Sequence, residues 1–104
     1  MEINQWLEKI TQRIAGQIHP KKILLFGSRA YGRPSKDSDL DLLVILKKSL
    51  NKHKRYILVD KAIGEHIYPI DLLVRSEKEV EKRLAIGDCF FAEILKKGRT
   101  LYEG

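Results

Sequence analysis

The 104-residue sequence has little of several features that would fix a class of protein. It has one cysteine, so an internal disulfide is excluded, and this usage suits a reducing compartment. The longest apolar run, Leu42–Leu46, is far shorter than the roughly 20 residues that cross a membrane. The N-terminus is polar and carries no apolar, signal-like stretch. These absences predict a cytoplasmic protein that does not insert into a membrane.

Aromatic residues are also few, at 8% of the chain, and show no spacing typical of a base-stacking surface. Direct nucleic-acid binding is therefore not expected, although the net charge of +6 favours an acidic partner or ligand. We interpret the densest cationic run, Lys47–Arg55, as a solvated loop and helix start, and leave phosphate or partner binding open. The histidines lack metal-ligand spacing, and Cys89 is interpreted as a small buried residue beside Phe90 and Phe91.

What the chain does contain is a regular succession of amphipathic and fully apolar segments. Apolar residues from Ile3 to Ile18 recur at helical spacing and predict a helix of about four turns. Length and pattern predict a single α/β domain, residues 1–104. The predicted strands are 22–26, 39–46, 70–74 and 99–103. The other predicted helices are a short one between Gly27 and Gly32, one at 52–65, one after the capping box of Ser76 and Glu79, and one at 88–97.

Two acids, Asp39 and Asp41, stand at the head of the second predicted strand. Side chains alternate along a strand, so both point to one face, roughly 6.6 Å apart along the backbone, while Leu40 and Leu42 point to the other. Left unpaired, the two carboxylates would repel each other and resist burial. Asp71, near the start of the third predicted strand, joins them if the two strands are neighbours. Oxygen ligands of this kind suit Mg²⁺, and two such ions about 3.5–4 Å apart serve in-line phosphoryl transfer.

A glycine–serine pair lies between the first predicted strand and the short helix. Gly27 lets the backbone approach a phosphate closely, and Ser28 offers a hydroxyl and a backbone N–H where anions are favoured. Ser38 offers a further hydroxyl just before the acids. Together these groups predict a site for a nucleoside triphosphate and its Mg²⁺. A turn rich in Asx residues is the simpler interpretation of the segment KDSDLD, but it leaves Asp71 unexplained.

The order and spacing of these residues resemble the signature of the DNA polymerase β-like nucleotidyltransferase superfamily, in particular its minimal nucleotidyltransferases. That pattern is Gly-Ser, ten residues, Asp-x-Asp, and a third acid on a later strand. Gly27-Ser28, Asp39-Leu40-Asp41 and Asp71 match it in order and spacing. The resemblance implies an α/β (α+β) fold, with a mixed sheet of about four strands flanked by helices. It also implies an enzyme that transfers a nucleotidyl group, expected to be AMP from ATP, to a hydroxyl.

The resemblance further implies a role for each matching residue. Asp39, Asp41 and Asp71 are the expected catalytic residues and metal ligands, for a pair of Mg²⁺ ions. Asp71 is also expected to help the acceptor hydroxyl lose its proton. Gly27 and Ser28 are expected to hold the β- and γ-phosphates of the bound ATP.

The acceptor is expected to lie outside this chain, because 104 residues leave no room for the acceptor domain of larger relatives. The resemblance implies the antitoxin half of a toxin–antitoxin pair, which adenylylates a partner toxin of the HEPN type. Two alternatives stay open at this point. The chain neutralises its toxin by binding alone, or it transfers the nucleotidyl group to a small molecule. A homo- or hetero-oligomer is compatible with each of them.

Overall fold

The computed structural model of the chain describes residues 1–34 and 39–104. In chain order its elements are α1 (Ile3–Ile18), β1 (Lys22–Phe26), α2 (Ser28–Tyr31), β2 (Leu40–Leu46), α3 (Lys52–Ile63), β3 (Ile70–Ser76), α4 (Glu77–Ala85), α5 (Cys89–Lys97) and β4 (Arg99–Glu103). Each predicted helix and strand forms close to its expected position. Helix α3 ends two residues before the predicted end, because Gly64 takes a φ of 76° and caps it.

The four strands form one mixed sheet in the order β3-β2-β1-β4. Strand β1 pairs antiparallel with both β2 and β4, whereas β2 and β3 run parallel. Parallel neighbours need a crossover connection, and α3 supplies it. The sheet confirms the predicted fold class and the predicted edge strand at 99–103. Because β2 and β3 are parallel, their first residues lie at the same end of the sheet.

The sheet separates two layers of helices, each packed on its own apolar core. Alternate residues of the strands, such as Leu42, Val44 and Leu72, face α1 and α3. The intervening residues, such as Leu43, face α4 and α5 together with Phe26. Asp41 and Asp71 are adjacent along their strands to residues that face α1 and α3. Their side chains therefore point to the opposite face, which α4 and α5 cover.

The helix ends follow the predicted signals with one correction. The side chain of Asn51 accepts a hydrogen bond from the backbone N–H of His53 at 3.0 Å. Ser76 and Glu79 form the predicted capping box, with both reciprocal hydrogen bonds present. The burial expected for Cys89 is wrong, because it lies exposed at the first turn of α5 while Phe91 turns into the core. Within the described residues, no helix combines the length and apolar character needed to cross a membrane.

A partly buried ion pair lies beyond the far end of β3, and its arginine belongs to the cationic run that was expected to be solvated. The side chain of Arg55 is only 3% exposed. Its two terminal nitrogens donate to the two carboxylate oxygens of Glu79, with Nη2 to Oε2 at 3.1 Å. Burial would raise the pKa of Glu79, but hydrogen bonds from Arg55 and Ser76 lower it to about 2. Arg55 therefore joins α3 to the start of α4 as a structural residue.

Candidate active site

Two of the predicted acids lie side by side on neighbouring strands. The parallel register pairs Asp41 of β2 with Asp71 of β3. Paired residues of adjacent strands point to the same face of a sheet, so the two carboxylates share the α4–α5 face. Asp39 precedes β2 by one residue and is two residues from Asp41. Asp39 and Asp71 are exposed and Asp41 is half-buried, so the acids form an open cluster at one end of the sheet.

The electrostatics of Asp41 agree with its position beside the other two acids. Burial raises the pKa of Asp41, and the negative charges of Asp71 and Asp39 raise it further. Asp41 thus lies in a field of like charge. A cation bound among these carboxylates would favour the ionised form and reverse this effect.

A tight turn places the glycine–serine pair directly against Asp41. Gly27 has a φ of 74°, and a Cβ built on it would lie 2.0 Å from Oδ2 of Asp41. Any side chain at this position would therefore collide with the carboxylate as well as strain the backbone. The carbonyl of Gly27 accepts hydrogen bonds from the backbone N–H groups of Ala30 and Tyr31 at 3.0 and 3.1 Å. Helix α2, which Ser28 begins, is held in this way beside the acid.

The end of the short helix is equally close-packed. A Cβ on Gly32 would lie 2.8 Å from the Cα of Ser28, and the N–H of Gly32 donates to the carbonyl of Ser28 at 3.0 Å. Glycines at 27 and 32 thus fix the turn in which the half-buried Ser28 lies. This confirms the short helix predicted between the two glycines.

The fit of the acids to a metal ion is partial in this arrangement. Among residues 1–34 and 39–104, no three His, Cys, Asp or Glu side chains converge closely enough to hold one ion. Charges influence each other over several ångströms, whereas a Mg²⁺–oxygen bond is about 2.1 Å long. The carboxylates are therefore electrostatic neighbours, and sharing one ion would require them to lie closer together than they do here. Their chemistry fits Mg²⁺, because the set offers oxygen ligands alone.

Five of the six predicted site residues lie close together, and the sixth is outside the described residues. Gly27, Ser28, Asp39, Asp41 and Asp71 lie together at one end of the sheet. Ser38, predicted to bind nucleotide, lies outside the described residues. The roles of all six as ligands and catalytic groups stay predictions.

One neighbour of the cluster was not predicted from the sequence. The ring of Phe90 packs against that of Phe26 with centroids 5.8 Å apart, and Phe26 pairs with Asp41 across β1 and β2. The sequence pattern indicated only that Phe90 and Phe91 are apolar positions of one helix. Successive residues of a helix lie about 100° apart around its axis, so the sequence pattern allows one of two adjacent phenylalanines to lie at the edge of the core but does not say which one.

Comparison with known proteins identifies the family of the chain. The family described as polymerase beta, nucleotidyltransferase matches residues 8–104. A relative in Methanocaldococcus jannaschii, provisionally named a protein adenylyltransferase, is 30% identical over 102 residues, which are 96% of this chain and 94% of the relative. These findings confirm both the predicted family and the predicted class of enzyme.

Solved structures share the fold at lower identity. A provisionally named nucleotidyltransferase of Sulfolobus solfataricus superimposes with a TM-score of 0.68 at 22% identity, over 95% of this chain and 78% of that one. A chain from the complex of a tri-AMPylated Shewanella oneidensis HEPN toxin with its MNT antitoxin gives a TM-score of 0.62 at 20% identity, over 97% and 72% of the two chains. The acid cluster, the glycine–serine turn and the family match lead to one conclusion: the chain belongs to the polymerase β-like nucleotidyltransferase family.

Proposed function

We propose that this protein transfers AMP from ATP to a hydroxyl of a partner protein, in a Mg²⁺-dependent reaction, and so acts as an antitoxin in the cytoplasm. One observation carries the enzymatic part of the proposal. Asp41 and Asp71 lie in register on neighbouring parallel strands, with Asp39 two residues from Asp41, and the backbone of the glycine–serine turn lies directly against Asp41.

In this proposal each residue of the cluster has a defined role. Asp39, Asp41 and Asp71 would hold Mg²⁺ together with the triphosphate, while Gly27, Ser28 and Ser38 would hold phosphate oxygens, and Asp71 would also take the proton of the acceptor hydroxyl. Bound Mg²⁺ would neutralise charge that develops on the phosphates during transfer. Gly27 suits this arrangement because the absence of a side chain lets its backbone lie directly against the carboxylate of Asp41.

The reaction itself is an in-line displacement at the α-phosphorus of ATP. The carboxylate of Asp71 takes the proton of the acceptor hydroxyl, and the hydroxyl oxygen forms a bond to the α-phosphorus. The bond from the α-phosphorus to the bridging oxygen breaks, and pyrophosphate leaves with the electron pair. The acceptor then carries AMP as a phosphodiester. Holding the two reactants in line is the main contribution available to so small a site.

The identity of the acceptor is supported by the relatives. The relative from M. jannaschii carries the name of an enzyme that modifies proteins, and it spans nearly the same length as this chain. The S. oneidensis complex joins an antitoxin of this fold to an AMPylated HEPN toxin. A HEPN-domain toxin is therefore the proposed partner, in a hetero-oligomer.

A second candidate function is neutralisation of the toxin by binding alone. It is favoured by the outer surface of α3, where Tyr56, Ile57 and Leu58 are 45%, 38% and 45% exposed. Exposed apolar side chains that group on one side of a protein mark a site of interaction. Transfer to a small molecule has no comparable observation in its favour.

The test of the proposed function uses a HEPN-domain protein encoded beside this chain, incubated with Mg²⁺ and ATP labelled at the α- or the γ-phosphate. We expect label on the toxin from α-labelled ATP only, because the γ-phosphate leaves in pyrophosphate. The double variant Asp39→Asn, Asp41→Asn is the matched control, since it removes two charges and keeps the side-chain shapes. The absence of label on the toxin with the native chain would contradict the proposal.

The same variant separates the two candidate functions. If transfer is required, the double variant leaves the toxin active in cells and unlabelled in vitro. If binding suffices, the variant neutralises the toxin as well as the native chain does. A gel-filtration comparison of the two complexes checks that the variant still binds.

A further inference from the structure

Phe90 is an aromatic residue whose side chain lies outside the hydrophobic core. Asp88 caps α5, and its carboxylate accepts hydrogen bonds from the backbone N–H groups of Phe90 and Phe91 at 2.9 and 3.3 Å. The cap fixes the first turn of the helix and with it the direction of both rings. Phe91 enters the core and is 5% exposed, whereas Phe90 remains 50% exposed.

The ring of Phe90 is held next to the acid cluster. It meets Phe26 edge to face, with ring planes at 89° and centroids 5.8 Å apart, and it touches Phe91 at 5.4 Å. Phe26 is the cross-strand partner of Asp41, and both lie on the α4–α5 face. Cross-strand partners have Cβ atoms about 4.5–5.5 Å apart. Phe90 is thus one side chain removed from Asp41, within the length of a nucleotide whose phosphates lie at Asp41 and Gly27.

We propose that Phe90 forms the platform on which the base of the bound nucleotide stacks. The inference rests on the proposed function, since it needs the phosphates to lie at the acid cluster and the glycine–serine turn. A planar base fits a half-exposed ring that two other rings support from the protein side. Burial of the remaining ring surface against the base removes apolar area from water without disturbing the core.

Stacking of this kind adds affinity and gives little choice between bases. Every base has a π-face, so an aromatic ring without polar groups binds adenine and guanine alike. Phe90 therefore accounts for how the base is held. Any preference for ATP over GTP must come from polar groups other than this ring.

The experiment measures equilibrium binding of MgATP and of magnesium tripolyphosphate, which has the phosphates but no base. Phe90→Leu removes the ring and keeps most of the apolar volume, while Phe90→Tyr keeps the ring. Ile86→Ala is the matched control, because Ile86 is 67% exposed on the connection between α4 and α5. We expect Phe90→Leu to weaken MgATP binding about 5–20-fold and to leave tripolyphosphate binding unchanged. Phe90→Tyr and Ile86→Ala should stay within about twofold of the native chain for both ligands.

The possible outcomes separate this inference from the proposed function. If the native chain binds MgATP and Phe90→Leu binds it equally well, the stacking role is wrong and the enzymatic proposal stands. If Phe90→Leu weakens both ligands equally, the ring acts on the fold of the site and the inference is overturned. If the native chain binds neither ligand, the proposed nucleotide site and the stacking role fail together.

Discussion

The two ends of strand β3 carry acids in opposite electrostatic situations. At its start, Asp71 lies beside Asp41, and the charges of Asp71 and Asp39 add to burial in raising the pKa of Asp41. Past its other end, Glu79 is held by Arg55 and Ser76, and its pKa is lowered to about 2 despite burial. One end keeps like charges together, and the other pairs opposite charges.

The contrast separates function from structure along one strand. Burial and the neighbouring charges of Asp71 and Asp39 disfavour the ionised form of Asp41, so the fold retains this carboxylate at some cost in stability. Opposite charges joined by two hydrogen bonds favour the fold, and they link α3 to α4. Substitutions at the first end should therefore remove activity and spare stability, and those at the second end should do the reverse.

The largest expected effect is the loss of transfer on changing Asp71→Asn. The amide cannot accept the proton of the acceptor hydroxyl and is a weaker ligand for Mg²⁺. Residues that merely support a metal ligand contribute about 10–100-fold, so we expect a loss of at least about 100-fold. The rate of AMP transfer to the partner measures it. Glu79→Gln is the matched control and should retain the native rate, and a comparable loss in both variants would contradict the contrast.

The next largest effect is expected from a change at Gly27, whose backbone lies against Asp41. Gly27→Ala places a Cβ 2.0 Å from Oδ2 of Asp41 and holds alanine at a φ of 74°. The positive φ alone costs about 1–3 kcal/mol, and the collision displaces the carboxylate, so transfer should fall sharply. Gly87→Ala is matched in strain, with a φ of 81° and nothing within 4 Å of the new Cβ. It should lose stability and keep the native rate, and equal rates in the two variants would show that the contact is unimportant.

A smaller effect, on stability, is expected at the opposite end. Arg55→Met removes the buried guanidinium and leaves Glu79 without its charged partner. We expect unfolding to become easier by about 2–3 kcal/mol, less than for a fully buried pair because the Glu79 side chain is 34% exposed. Denaturant unfolding measures the change. Lys54→Met, at the exposed neighbouring position, should change stability by less than about 0.5 kcal/mol.

The smallest effects are differences in pH dependence with opposite signs. The pKa of Asp41 is raised in the fold, so ionisation of Asp41 disfavours folding and stability declines as pH rises through that pKa. Asp41→Asn should therefore melt at a slightly higher temperature than the native chain at pH 7, measured with a chelator present. The difference should disappear in acid, where the native carboxyl group is neutral. A lower melting temperature at pH 7 would contradict the like-charge interpretation.

Glu79→Gln should show the reverse dependence. The pKa of Glu79 is lowered to about 2, so its stabilising charge is fully present above the usual value of 4.5 and is lost as pH falls towards 2. The variant should be less stable than the native chain at pH 7, and the difference should vanish in strong acid. Glutamine can still accept the capping hydrogen bond at this position, so the loss isolates the charge from the helix cap.

The sequence predicted the fold and the acid cluster because these depend on local patterns. Strand alternation predicted a shared face for Asp39 and Asp41, although β2 begins only at Leu40, and the spacing to the glycine–serine pair is specific to the family. The position of Asp71 beside the other acids depends on which strands are neighbours in the sheet, and this order came from the resemblance to the family. The contact of Gly27 with Asp41 depends on backbone positions from two strands, and no spacing rule specifies it.

The misses arise where tertiary packing outweighs a local pattern. Arg55 lies in a run of cations that looks solvated, but the inner side of α3 brings it to Glu79. Glu79 was predicted as a capping residue, and its carboxylate also serves as the partner of Arg55. Cys89 follows the apolar pattern of α5 only in sequence, because the helix begins there and turns it to solvent.

The parallel pairing of β2 with β3 has a thermodynamic consequence for ligand binding. Asp71 lies thirty positions after Asp41 in the chain, and the two meet only when the crossover through α3 is in place. An unfolded chain has no equivalent arrangement of carboxylates, so a divalent ion that binds them binds the native state alone. At about 100 times its dissociation constant such an ion adds about 2.7 kcal/mol to the free energy of unfolding. The melting temperature, measured as the concentration of the divalent ion is raised, then reports binding of the ion at the acid cluster without any acceptor being present.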